Sequence, residues 1–419
     1  MDIASFSIFL EIFNTYLLVS EFTWEKTEKV IDKQSLPKFI AFLKNLLLSS
    51  YFQSVNMGYK SAYFSFTFKA GSEILSTMYE INEETNYLNN KAFRAREDQL
   101  EMFKTTLAIV TELREEDVNQ QIEVVKKLPF CYPFEMKYFL FNEIVRSIRE
   151  RNFEGVYAGD GVEVRIRRDH FAKDSIEAMK QLKNNEKALR GRIKIVFIDQ
   201  FGTYESGIDT GGILKEYLYD LGKCLLDPAY GLFIETKDRE LDPNPESKAI
   251  VGPDHLVQFQ CFGMVVGRAI YEEILLDSVF SKAMLRRMLG KANFFNHLML
   301  YDIELYKQMK KVKDYQGDVK DLCLSFVATN SGTGEEIELI PNGSNIPVTN
   351  ENKIKYIYTL THYLLNVKTR EQSKAFLLGI NEVIPLPFLQ MFTPTELQIL
   401  ISGETTEIDI EDLRRNATY

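Results

Sequence analysis

The sequence predicts an α+β fold, mostly helical. Three observations carry that reading. Most of the 419 residues fall into stretches whose apolar side chains recur at helical spacing. Strand signatures are few: an alternating stretch at 162–170, an apolar run at 192–199 and a hairpin pattern at 321–341. Finally, 45% of the residues are hydrophobic, with 30 Phe and 21 Tyr, enough for a large core and too apolar for long disorder. The length suggests two or three domains or subdomains.

The elements follow in order. The N-terminal "MDIASFSIFLEIFNTYLLVSEF" is apolar enough to suggest a signal peptide or a membrane span. It lacks a basic n-region and carries Glu11 and Asn14 in its middle. A carboxylate there costs roughly 2.5–3.5 kcal/mol on insertion scales, so a buried core helix is expected. "LPKFIAFLKNLLLSSYF" (36–52) places Phe39, Phe42, Leu43, Leu46 and Leu47 on one helical face. Residues 98–117 form another such helix, and residues 1–125 read as a helical N-terminal extension.

In "LPFCYPFEMKYFLFNEIVRSIRERN" (128–152), Pro133 marks a helix start. The strand over 162–170 precedes a helix over 174–185, with Asp174 or Ser175 expected as its cap. A second strand over 192–199 runs into the glycine-bearing "ESGIDTGGILKEYL" (205–218). Helices resume at 212 and 256, then near 281. After the hairpin, a helix over 348–366 is expected, capped by Thr349 or Asn350, and the remainder is mostly helical.

Several familiar chemistries are excluded. A P-loop needs G-x-x-x-x-G-K-[ST] and the dinucleotide fingerprint G-x-G-x-x-G; Gly207, Gly211 and Gly212 are spaced otherwise, and Glu205 and Asp209 would repel an anion. These glycines are expected instead to permit a tight turn and close packing of the next helix. The histidines, His170, His255, His297 and His362, show no metal-ligand spacing, and no G-x-S-x-G elbow occurs. Cys131, Cys224, Cys261 and Cys323 each sit in an apolar run without C-x-x-C pairing, and are expected to be buried, inert thiols of a reducing compartment, cytoplasmic or nuclear. The net charge of −10 argues against a nucleic-acid or anionic-membrane partner. No cofactor or metal is expected. Gly263-x-x-x-Gly267 in "FGMVVGRAIYEE" has charged neighbours and is expected to mediate close helix packing in a soluble core.

Taken together and in order, "IRRDHFAKDSIEAM", "IVFIDQFGTYESGIDTGGILKEYL", "LDPNPES", "FGMVVGRAIYEEILLD", "YDIELYKQM", "DLCLSFVATNSGTGEEIELIPNGSNIPVTNENK", "FLLGINEVIP" and "FTPTELQILISG" resemble the N-terminal lobe of HECT-type E3 ubiquitin ligases. The resemblance covers about residues 126–419. "LPFCYPFEMK" and the helical region before it are similar to the proteasome-associated subclass. The family takes ubiquitin from a charged E2 onto a cysteine as a thioester, then passes it to a substrate lysine. The resemblance therefore implies ubiquitin, a ubiquitin-charged E2 and protein substrates as partners, with the proteasome as a further one.

It also implies a layout. Residues 126–289 and 367–419 would form the large subdomain of the N-lobe, and residues 290–366 a small E2-binding subdomain. The E2 surface would draw on Phe294, Phe295, Leu298, Tyr306, Leu322, Leu324, Tyr356, Leu360 and Tyr363, with Tyr306, Tyr356 and Leu360 as the main anchors. The family's C-lobe, with its cysteine in an L-P-x-x-x-T-C-type motif, would follow residue 419, and no such motif occurs in the chain. No catalytic residue is therefore assigned, and the chain is expected to be inactive alone. If the protein truly stops at Tyr419, the alternative is a non-catalytic E2-binding adaptor. Asp242 departs from the pattern, since relatives tend to have an aromatic before P-N-P, as do Met264 and Val265.

Overall fold

The computed structural model describes residues 3–19, 31–57, 62–110, 122–153, 162–183, 186–205, 212–329 and 334–403. Among the described residues the N-terminal region holds the helices α1 (Ile3–Val19), α2 (Leu36–Met57), α3 (Ala62–Thr85) and α4 (Glu97–Val110). Helices α1 and α2 pack on α3. Leu10 and Phe13 of α1 enter the core with Ile74, Leu75 and Met78 of α3. Asn14, one of the residues that argued against a membrane span, donates to Glu73 at 2.7 Å, and Ser7 shares a hydrogen bond with Thr67 at 2.6 Å. Among the described residues no helix is long and apolar enough to cross a membrane. The buried face of α2 differs from the expected one. Leu36, Ile40, Leu43 and Leu47 are buried, whereas Phe42 is 56% exposed because it lies a quarter-turn off that stripe.

The large body begins with α5 (Phe134–Phe153), which starts directly after Pro133. Residues 129–131 join it to the N-terminal helices: Phe130 stacks on Tyr79 at 4.7 Å between centroids and meets Phe93 edge-on. Strands β1 (Val162–Arg167) and β2 (Ile193–Ile198) pair in parallel, Val164 opposite Ile195, with α6 (Phe171–Lys183) between them in sequence. Asp174 and Ser175 do not cap α6, which starts three residues earlier. Asp174 instead accepts from the Arg167 backbone N–H and guanidinium, which hold its carboxyl down at about 2. The glycine-bearing loop lies largely outside the described residues, Gly207 and Gly211 included. Helix α7 (Gly212–Leu226) starts at Gly212, where an added Cβ would meet nothing within 4 Å among the described residues. Close packing at that glycine is not what the structure shows.

A short antiparallel pair, β3 (Phe233–Glu235) and β4 (Leu241–Pro243), precedes α8 (His255–Tyr271) and α9 (Lys282–Met288). Asp242 on β4 is buried. It accepts from Ser281 at 2.8 Å and pairs with Arg287, so the departure at this position is a polar tie to α9. Among the described residues the most extensive helix contact joins α8 to α12 (Arg370–Val383). A Cβ at Gly263 would lie 2.0 Å from the Phe376 carbonyl oxygen, and one at Gly379 would lie 1.9 Å from that of Gln260. The expected packing role of Gly263 and Gly267 is therefore met, with Gly379 as the facing partner. Helix α13 (Pro394–Ser402) closes the described chain, its start held by a Thr393–Glu396 capping box.

Between α9 and α12 a smaller body builds its own core. It contains α10 (Ile303–Asp314), an antiparallel pair β5 (Val327–Thr329) and β6 (Glu336–Glu338), and α11 (Lys353–His362). Phe295, Leu298, Phe326, Val348, Ile357 and Leu365 sit at its centre. The hairpin is shorter than the pattern suggested, because residues 319–322 form a 3-10 turn. Helix α11 starts at Lys353, and neither Thr349 nor Asn350 caps it. Asn350 instead accepts from the Val319 N–H at 3.3 Å.

Candidate functional site

The connections into the small body define its mechanics. The chain leaves α9 through residues 289–294 and returns through a π-helical turn, Tyr363–Val367. The two connections pair with each other: Asn293 N–H donates to Asn366 Oδ1 at 3.0 Å, and Asn366 Nδ2 donates to the Asn293 carbonyl at 2.8 Å. From α9, Arg286 holds the Asn293 side chain at 3.1 Å and the Ala292 carbonyl at 2.8 Å. Arg287 reaches the Leu365 carbonyl and Thr369 Oγ1. Tight charge-assisted bonds thus surround one narrow junction.

The expected contact residues divide. Phe295, Leu298, Tyr356 and Leu360 are buried, at 2%, 0%, 5% and 6% exposure. They form the small body's core, and burial leaves them little surface to give a partner. Tyr356 and Leu360, expected as main anchors, lie on a helical stripe that faces inward, where the Tyr356 ring meets Phe326 edge-on at 5.5 Å. Tyr306, Leu324 and Tyr363 are half-buried against that core. Phe294 and Leu322 are exposed, at 47% and 37%.

Nor do these residues share one groove. Phe294, Phe295 and Tyr306, with Tyr358, line a cavity of about 720 Å³ that faces α3. Leu322 and Leu324 lie with the hairpin, where the Val348 N–H donates to the Leu324 carbonyl at 2.8 Å. The sequence reading missed Tyr315 and Ile354, exposed at 38% and 39%, near the α11 N-terminus, where Lys353 Nζ binds the Tyr315 carbonyl at 3.0 Å. Ile354 was legible as an apolar residue two positions before Tyr356, on the opposite side of its helix.

Three of the four thiols offer poor nucleophiles. Cys131 is fully buried, and desolvation pushes its thiol up to about 12; Cys261 is raised to about 11 by the same cause. Cys224 is half-buried and raised by burial and by Asp227. Cys323 departs from the expected burial: it is exposed, in a left-handed backbone conformation. A thiol must ionise to attack, so Cys131 and Cys261 should stay unmodified by iodoacetamide at pH 8 while Cys323 reacts first. Peptide mass spectrometry after a timed pulse checks this; early modification of Cys131 would contradict its burial. Among the described residues, no His, Cys, Asp or Glu cluster could hold a metal ion.

These features define a class: a helical scaffold carrying a smaller, narrowly attached body. Residues 219–419, just under half of the chain, match the HECT-domain (ubiquitin-transferase) family model, and this region belongs to the HECT family. It is 35% identical over 351 residues to the Arabidopsis thaliana E3 ubiquitin-protein ligase UPL6, covering 83% of this chain and 33% of the relative. It is 34% identical over 307 residues to the Homo sapiens ubiquitin-protein ligase E3B, covering 71% and 28%. It is 32% identical over 321 residues to the Saccharomyces cerevisiae E3 ubiquitin-protein ligase HUL5, covering 72% and 34%. The chain thus spans about a third of the length of these curated relatives.

Proposed function

We propose that this chain is the E2-docking part of a HECT-type ubiquitin transferase of the cytosol or nucleus, which takes ubiquitin from an E2 and delivers it to substrate lysines. The observation that carries the reading is the separately cored small body at residues 295–365, attached at a narrow junction, within a region that matches the HECT family. An E2 would meet the apolar residues of that body on the hairpin side, Leu322 and Leu324. Exposed apolar residues over a rigid core suit a protein partner, because no internal packing satisfies them. The buried Tyr356 and Leu360 support this side from beneath.

None of the four cysteines stands in an L-P-x-x-x-T-C-type motif, and burial raises the thiols of Cys131, Cys261 and Cys224, so no thioester cysteine is assigned within residues 1–419. Incubated with E1, a panel of E2s and ubiquitin, residues 1–419 are therefore expected to bind an E2 yet give no thiol-sensitive ubiquitin adduct on a non-reducing gel. An adduct on this chain would overturn the inactive-alone reading. Leu322→Glu is expected to weaken E2 binding by about 1–3 kcal/mol in a calorimetric titration, with the unfolding midpoint unchanged. Unaltered affinity would move the docking surface away from the hairpin side.

A further inference from the structure

Three parts of the molecule meet at one carboxylate. Glu80, in the penultimate turn of α3, faces Arg286 Nη1 at 2.6 Å, Lys291 Nζ at 2.9 Å and His297 Nε2 at 3.7 Å. Ser76 donates to it from the same helix at 3.4 Å. Arg286 belongs to α9 of the large body, Lys291 to the outgoing connection, and His297 to the first turn of the small body. His297 Nδ1 accepts from the Phe294 N–H at 2.8 Å, so the ring hydrogen sits on Nε2 and points at Glu80. Burial alone would raise the Glu80 carboxyl, but Lys291 and Arg286 hold it well below the ordinary carboxylate range, so it is ionised.

The surroundings give this node mechanical meaning. Arg286 also holds Asn293 and the Ala292 carbonyl, so the cation that binds Glu80 is the one that organises the junction. Beside the node, α3 and the small body do not close on each other: the cavity of about 720 Å³ lies between them, with Glu80, Glu73 and Thr77 on one wall and Phe294, Tyr306 and Tyr358 on the other. The small body thus has room to swing toward α3, and at this point charge contacts oppose the swing.

We propose that the N-terminal helices act as a strut, in which Glu80 fixes the angle of the small body relative to the large one. Glu80 is then a positioning residue: it touches no reacting atom, and sets how far a docked E2 stands from the rest of the machinery. That last consequence rests on the docking function proposed above; the strut itself does not.

The test uses residues 1–419 with Glu80→Gln, which keeps the side chain's shape and removes its charge. Hydrogen–deuterium exchange is expected to rise about ten-fold or more in residues 289–298 and 363–369, and to stay unchanged in α8 and α12. Glu80→Gln combined with Lys291→Met should exchange no faster than Glu80→Gln alone, because both remove the same restraint. Affinity for an E2 that binds the unaltered chain should change less than about two-fold, since Leu322 and Leu324 do not line the cavity at Glu80. Wild-type exchange at both connections in Glu80→Gln would overturn the strut. So would a rise spread evenly over the whole chain, which would make Glu80 a general stabiliser. If the unaltered chain binds no E2, the docking reading fails while the exchange result still decides the strut.

Discussion

Gly379→Ala is expected to destabilise the protein by about 3 kcal/mol, at the upper end of what overpacking costs. The added methyl would lie 1.9 Å from the Gln260 carbonyl oxygen and 2.8 Å from the Met264 nitrogen. Both are backbone atoms inside α8, so no rotamer change can make room. Relief requires α8 and α12 to separate, and those helices carry the centre of the large core through Phe262, Phe376 and Ile380. Urea unfolding followed by circular dichroism should show the midpoint falling with little change in slope. Gly212→Ala is the matched control: its methyl meets nothing within 4 Å among the described residues, and its midpoint should shift by less than about 0.5 kcal/mol equivalent. Equal effects at the two positions would refute the close-approach argument.

The second large effect is expected at Lys137, a fully buried lysine in α5. Its ammonium reaches both Glu396 oxygens at 2.7 and 2.6 Å and the Pro129 carbonyl at 2.7 Å. Lys137→Met should cost about 3–5 kcal/mol, because it leaves the largely buried Glu396 without its cation. Glu396 also accepts from the Thr393 N–H at 2.8 Å, so the start of α13 should loosen at the same time. The double variant Lys137→Met, Glu396→Gln should recover much of the loss, since the glutamine amide needs no countercharge and can still accept at the cap. Chemical denaturation of the single and double variants gives the coupling energy directly. Strict additivity would mean that the pair is not an energetic unit.

The fold was legible where the pattern is local. The alternation of Val162, Val164 and Ile166 located β1, and Pro133 located the start of α5, because period and backbone restriction act over a few residues. The Gly263 and Gly267 spacing predicted a close helix contact, although its partner, Gly379, lies more than a hundred residues away and has no local mark. The candidate site was legible as a region and not as a surface. A stripe of Tyr356, Leu360 and Tyr363 has the same sequence signature whether it faces a partner or the small body's own core, and here most of it faces inward. Glu80 could not have been singled out: one glutamate among many on an acidic helix, it acquires its role from Arg286, Lys291 and His297, which only the tertiary fold brings to it.

The reciprocal pairing of Asn293 with Asn366 has an evolutionary consequence. The two ends of the small body leave the scaffold side by side, so the piece between them is topologically an insertion that a short loop could replace. Such a module can drift in sequence, or be exchanged for another, without rebuilding the helices beneath it. On the docking function proposed above, a lineage could thereby acquire a new E2 preference by changing some seventy residues while keeping the same chassis.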